Sequence, residues 1–382
     1  MTTLVGNWNY PTKIRFGAGR ISELPDACKE AGFRNPLLVT DRGLARLPVA
    51  DKVLDIMTDA GLGQATFSDV DPNPVDTNLE AGVRAFLDGD FDGVIAMGGG
   101  SGLDLAKLIA FQSRQKRPVW DFEDIGDYWT RADAEAIAPV VAIPTTAGTG
   151  SEVGRAAVLT NTETHQKKVI FHPRMMPKVV ICDPELTVGL PADMTAGTGM
   201  DAFVHCLEAY STLPYHPMAQ GIALEGMRLV KEYLPRAFRD GADMEARANM
   251  MSAAAMGATA FQRGLGAIHS LAHTIGALHH THHGTTNAVI IPVVLRFNRP
   301  AIEKRIERAA AYLGIEGGFD GFVDFVVALN RKLGIPENLR AMGADPGRID
   351  EYAQMAIVDP TASGNPVPLT LEAAKQLFEE AI

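Results

Sequence analysis

At 382 residues, with a 46% hydrophobic share and a formal net charge of −11, the chain is too long for one small core and reads as a two-domain globular protein. The acidic balance excludes nucleic acid as a partner, because a polyanion demands a basic face, and it disfavours anionic lipid. No apolar run approaches the ~18 residues that a membrane helix needs.

The opening stretch, MTTLVGNWNYP, lacks the basic-then-apolar pattern of a secretion signal. Three cysteines, Cys28, Cys182 and Cys206, are odd in number and scattered. A cytoplasmic protein without a disulfide framework is therefore expected. The first half alternates short apolar runs with helical stretches. The runs at 36–40, 93–97, 139–143 and 179–182 are apolar on both faces, as central parallel strands must be. Helical stretches at 48–60, 78–88 and 103–112 fall between them, which predicts a doubly wound α/β sheet.

The strand at 93–97 runs straight into Gly98-Gly99-Gly100-Ser101-Gly102 and then a helix. Glycines admit close approach of the backbone to a phosphate, and the first amides of the helix point at it. The pattern departs from the common dinucleotide fingerprint, since no acidic residue closes a strand ~20 residues on. An acidic residue does end the earlier strand, at Asp41. Its carboxylate suits either a ribose hydroxyl pair or the cap of the next helix. After the strand at 139–143 comes a second small-residue turn, Pro144-Thr-Thr-Ala-Gly-Thr-Gly-Ser-Glu152. Its hydroxyls and amides suit a phosphate or the nicotinamide amide.

Beyond about Pro184, Ala and Met rise and strand runs become scarce, so residues 188–382 read as a mostly helical domain. One run, 289–295, contains Pro292 and fits either a strand or a buried helix. Direct packing of the two halves would leave a cleft where ligand sites tend to lie. Eight of the ten histidines lie from 205 onward, and six are packed into 269–283. Asp201 and His205 are four residues apart, so they project from one helix face. His269 and His273 repeat that spacing, and His283 precedes a glycine. Buried titratable groups at such density need partners, and a divalent metal is the simplest common one. An imidazole and carboxylate set fits Fe²⁺ or Zn²⁺, and the Irving–Williams order favours Zn²⁺. Five candidates for four protein ligands leave one over, as a proton relay would require.

Taken together, the turn at Phe16-Gly-Ala-Gly19, GGGSGLDLAK, PTTAGTGSEV, GMDAFVHCLEAY, HSLAH and HHGTTNAVIIP resemble the iron-containing (group III) alcohol dehydrogenase family. The resemblance spans nearly the whole chain. It implies a Rossmann-like α/β domain at 1–187 and an all-α domain at 188–382, an architecture shared with dehydroquinate synthases. It implies NAD as cofactor, Fe²⁺ or else Zn²⁺ as metal, and a homodimer or larger homo-oligomer.

The family's metal ligands fall on Asp201, His205, His269 and His283, and its relay histidine on His273. Its cofactor contacts fall on Asp41, Asn73, Gly98, Gly99, Gly100, Ser101, Thr145, Thr146 and Lys167. Two positions depart from the family pattern: Gly102 stands where Pro is usual, and Gly154 where Thr is frequent. The activity implied is hydride exchange between a primary or secondary alcohol, or its aldehyde or ketone, and NAD, with the metal as Lewis acid. Two other readings are a glycerol dehydrogenase-like oxidation of polyols and a non-catalytic nucleotide- or metal-binding protein. The second would be favoured by a lost ligand, and none is lost. A dehydroquinate synthase-like lyase would need several basic side chains, whereas 266–295 carries none and Arg296 lies just beyond.

Overall fold

A computed structural model describes residues 12–164 and 166–382; the N-terminal stretch read for targeting features lies outside them. The described residues divide into two compact units, one of 12–146 with Gly150–Val188, the other of Gly189–Ile382 with Ala147–Thr149.

The first unit is built on strands β1 (Lys13–Phe16), β2 (Pro36–Val39), β3 (Thr66–Phe67), β4 (Gly93–Gly98), β5 (Val140–Pro144), β6 (Ala156–Asn161), β7 (Gln166–Phe171) and β8 (Val179–Cys182). Its helices are α1 (Leu24–Ala31), α2 (Pro48–Asp59), α3 (Asp76–Asp88) and α4 (Gly100–Gln112). Six strands form one sheet in the order β1-β8-β5-β4-β2-β3, with every pairing parallel. Each residue of β2, β4, β5 and β8 is buried, which is why these strands are apolar throughout rather than alternating. β6 and β7 make a separate antiparallel hairpin. Because β4 lies between β2 and β5, the chain turns that follow these three strands stand side by side.

The second unit is helical: α5 (Ala192–Ser211), α6 (Pro217–Arg239), α7 (Met244–Ala260), α8 (Ala267–His279), α9 (His283–Leu313), α10 (Gly318–Lys332), α11 (Ile349–Ile357) and α12 (Leu371–Ala381). Helix α5 is buried on almost every side along its C-terminal two thirds, so its apolar pattern shows no exposed stripe. The ambiguous run at 289–295 is helix, inside α9. Pro292 leaves the carbonyl of Ala288 without its usual donor, and the Asn330 side chain of α10 supplies one at 2.7 Å. Among the described residues no helix is long and apolar enough to cross a membrane.

Candidate active site

The Gly-rich turn is the start of α4. Gly99 is its N-cap in extended conformation, so the leading amides of the helix, at Gly100, Ser101 and Gly102, have no intrahelical acceptor and face outward as an anion site. Gly98 has φ +146°, which L side chains rarely adopt, and a Cβ on Gly99 would come within 3.2 Å of Thr146. These two glycines are thus required by backbone shape and by the neighbouring turn. Thr145 donates its amide to the Gly98 carbonyl at 3.0 Å, tying the two turns together. The Ser101 hydroxyl donates to the Pro72 carbonyl, which brings Asn73 to the same edge. Gly102 fits closely: a Cβ there would stand 3.0 Å from the Met97 carbonyl.

Asp41 follows β2. Its Oδ1 accepts the amides of Gly43 and Leu44 at 2.9 and 2.8 Å, so it does cap the next turn, while Oδ2 lies toward Gly98. Lys167 sits on β7 opposite Thr160.

Behind the Thr-rich turn lies a buried polar knot. The Lys107 ammonium donates to the carbonyls of Ser151, at 3.0 Å, and Ala156 and pairs with Asp104 at 3.3 Å. Burial lowers the Lys107 pKa despite Asp104. Glu152 is buried beside it, and burial pushes its carboxyl up to about 7.

The histidine-rich segments meet in the helical unit. Ligand atoms of Asp201, His205 and His269 lie within 4.8 Å of one another, and all three residues are buried. The His205 and His269 rings stack at 4.8 Å with 12° between planes. His283 Nε2 stands 3.4 Å from Asp201 Oδ1, outside the tightest group but against the same carboxylate. It shares the Asn287 amide, which donates to His283 Nε2 at 3.2 Å and to Asp201 Oδ1 at 2.9 Å.

His283 reaches this point because α9 begins against α5. A Cβ on Gly284 would fall 2.1 Å from the Gly197 carbonyl, and one on Gly197 would fall 2.5 Å from the His282 ring. Only glycine permits that approach.

The electrostatics call for a cation. Burial drives the His205 imidazole down to about 4, leaving it neutral and able to ligate. Burial works against a charge on His269 as well, but the hydrogen bond and charge of Glu208, with Asp201 and Asp359, outweigh it and raise its pKa. Among the described residues, His269 Nε2 is buried without a hydrogen-bond partner. A divalent ion held by one carboxylate and imidazole nitrogens fits this donor set.

His273 lies one turn beyond His269, its ring stacked on His283 at 5.3 Å. Its Nδ1 is bonded to Asp359 Oδ2 at 2.9 Å. Burial opposes the Asp359 carboxylate, but His273 and the Thr361 amide and hydroxyl hold it below its usual range. Two carboxylates not expected from the sequence, Asp359 and Glu208, join the site. Asp359 is 86 residues from His273, and no local pattern announces it. Glu208 could have been found, since it lies seven residues after Asp201 and shares its helix face. His279, in the same histidine-rich segment, is bonded to the Tyr352 hydroxyl at 2.7 Å.

Comparison with known proteins identifies the family. Residues 11–184 match the model of the iron-containing alcohol dehydrogenases, and residues 195–382 that of the family's C-terminal region. A 4-hydroxybutyrate dehydrogenase of Cupriavidus necator is 39% identical over 98% of this chain and 99% of its own. A 1,3-propanediol dehydrogenase of Citrobacter freundii is 35% identical, covering 99% of this chain and 98% of its own. Among solved structures, a 1,3-propanediol oxidoreductase superposes with a TM-score of 0.94 at 34% identity, covering 99% of this chain and all of that one. A sulfoacetaldehyde reductase of Bifidobacterium kashiwanohense, solved with NAD⁺, gives 0.89 at 28% identity, with 99% and 98% covered. The chain belongs to the iron-containing alcohol dehydrogenases and is an oxidoreductase acting on alcohols.

Proposed function

We propose that the protein exchanges hydride between NAD and a primary or secondary alcohol, or the matching aldehyde or ketone, at a divalent-metal centre held by Asp201, His205, His269 and His283. The observation that carries this reading is the convergence on a single point of three buried ligand groups, two of them with a ring nitrogen that has no hydrogen-bond partner among the described residues. When bound, the ion supplies Lewis-acid polarisation of the substrate oxygen. His273, its Nδ1 fixed on Asp359, offers Nε2 to the hydroxyl proton. The glycine turn at 98–101, with Asp41, Asn73, Thr145, Thr146 and Lys167, is the grip for NAD. Its outward helix amides suit pyrophosphate, and a structural relative is solved with NAD⁺.

In this reading residues 1–187 bind the nucleotide and residues 188–382 carry the metal and the proton relay. Relatives whose names specify 4-hydroxybutyrate and 1,3-propanediol favour a short primary alcohol with a second polar group. Buried, unpaired thiols at Cys28, Cys182 and Cys206 support a reducing, cytoplasmic setting, and the family resemblance supports a homo-oligomer. The test is NADH formation from a panel of short alcohols, diols and hydroxy acids, before and after chelation. Activity lost on chelation and restored by Fe²⁺ or Zn²⁺ is expected; activity indifferent to chelation would refute the metal centre.

A further inference from the structure

We infer that Glu208 is a positioning residue for the metal centre: it fixes the tautomer and orientation of His269 and ties the two ligand-bearing helices α5 and α8 together. The inference rests on the metal reading above.

Glu208 projects from the same face of α5 as Asp201 and His205 and is 5% exposed. Its two oxygens are both engaged by α8. Oε1 accepts the Ile268 amide at 2.7 Å, and Oε2 contacts His269 Nδ1 at 2.6 Å. An ionised carboxylate can only accept, so Nδ1 must carry the proton. In the neutral ring the lone pair then belongs to Nε2. That atom is buried, lacks a hydrogen-bond partner among the described residues, and lies 3.9 Å from Asp201 Oδ1. A lone pair facing a carboxylate is an arrangement that a cation held between them makes favourable.

Helix α8 has no side-chain cap from Gly266. Its first amides are satisfied instead from afar, Ala267 by Asn365 Oδ1 at 3.1 Å and Ile268 by Glu208. The Glu208 charge also favours the positive end of the helix. One side chain therefore sets both where α8 begins and which nitrogen of His269 faces Asp201. Carboxylate partners of ligating histidines typically contribute 10–100-fold to metal affinity.

The near-isosteric Glu208→Gln separates this role from simple folding. Its amide has one accepting oxygen where the carboxylate had two: with that oxygen on the Ile268 amide, its nitrogen can only donate to His269 Nδ1, which favours the tautomer whose Nε2 is protonated and cannot ligate. Metal-free full-length protein is titrated with Co²⁺, followed by visible absorption, in wild type, Asp201→Ala, Glu208→Gln and Asn365→Ala. Wild type should bind one Co²⁺ and Asp201→Ala none. Glu208→Gln should bind about 10–100-fold more weakly with a shifted band. Asn365→Ala loosens the start of α8 without touching His269 and should bind nearly as wild type. Wild-type affinity in Glu208→Gln overturns the proposal, and so does equal weakening in Glu208→Gln and Asn365→Ala, which would reduce Glu208 to a helix cap. Unchanged binding in Asp201→Ala would refute the metal site itself, and the proposal with it.

Discussion

In the proposed reading Asp41 serves both purposes that the sequence presents as alternatives. Oδ1 is spent on the amides of Gly43 and Leu44, and Oδ2 is left toward Gly98, where its charge would repel a 2′-phosphate of a bound nucleotide. Asp41→Asn keeps an acceptor for the cap and removes the charge. The ratio of kcat/KM for NAD over NADP should exceed one in wild type and shrink in the variant; equal use of both cofactors by wild type would remove Asp41 from this role. His273 is constrained in the same way by its occupied atom. Its Nδ1 is committed to Asp359, so what remains for chemistry is Nε2. His273→Ala should lose about 10²–10⁴-fold in turnover while keeping its metal and its affinity for NADH. A variant that loses metal would make His273 a ligand instead.

The elements that carry the site were legible where packing leaves a local trace. β2, β4, β5 and β8 announce themselves because a strand covered on both faces must be apolar at every position. β1, with Lys13 and Arg15 on a sheet edge, and the two-residue β3 carry no such trace, and the half-exposed β6–β7 hairpin breaks the expected strand–helix alternation. The paired histidines were legible because i,i+4 spacing is a property of the helix itself. The bond from His273 to Asp359 was not, since only tertiary folding brings the cap of the short 3₁₀ turn Pro360–Gly364 beside α8. The His283-Gly284 pair was read for its histidine, yet the glycine is what lets α9 meet α5. In Gly284→Ala the new Cβ would fall 2.1 Å from the Gly197 carbonyl. The variant should lose roughly 1–3 kcal/mol by overpacking, measured by denaturant unfolding, and should bind metal less tightly because His283 is displaced. A variant as stable as wild type would show that the helices can part without cost.

At the scale of the whole molecule, stability should depend on pH through Glu152. Its folded-state carboxyl is raised to about 7 by burial, whereas the unfolded chain titrates near the ordinary value of ~4.3. The folded state therefore holds a proton that the unfolded state has released across that interval. Stability should fall as pH rises from about 4.3 to 7 and be flat with respect to this group above it. Glu152→Gln, a mimic of the neutral acid, should raise Tm at pH 8 and leave it nearly unchanged at pH 4; equal Tm at both would place the buried charge cost elsewhere. If α5, α8 and α9 together hold one divalent ion, metal analysis of purified wild type should find about one ion per chain and that of His269→Ala an empty site; full metal content in His269→Ala would refute the site.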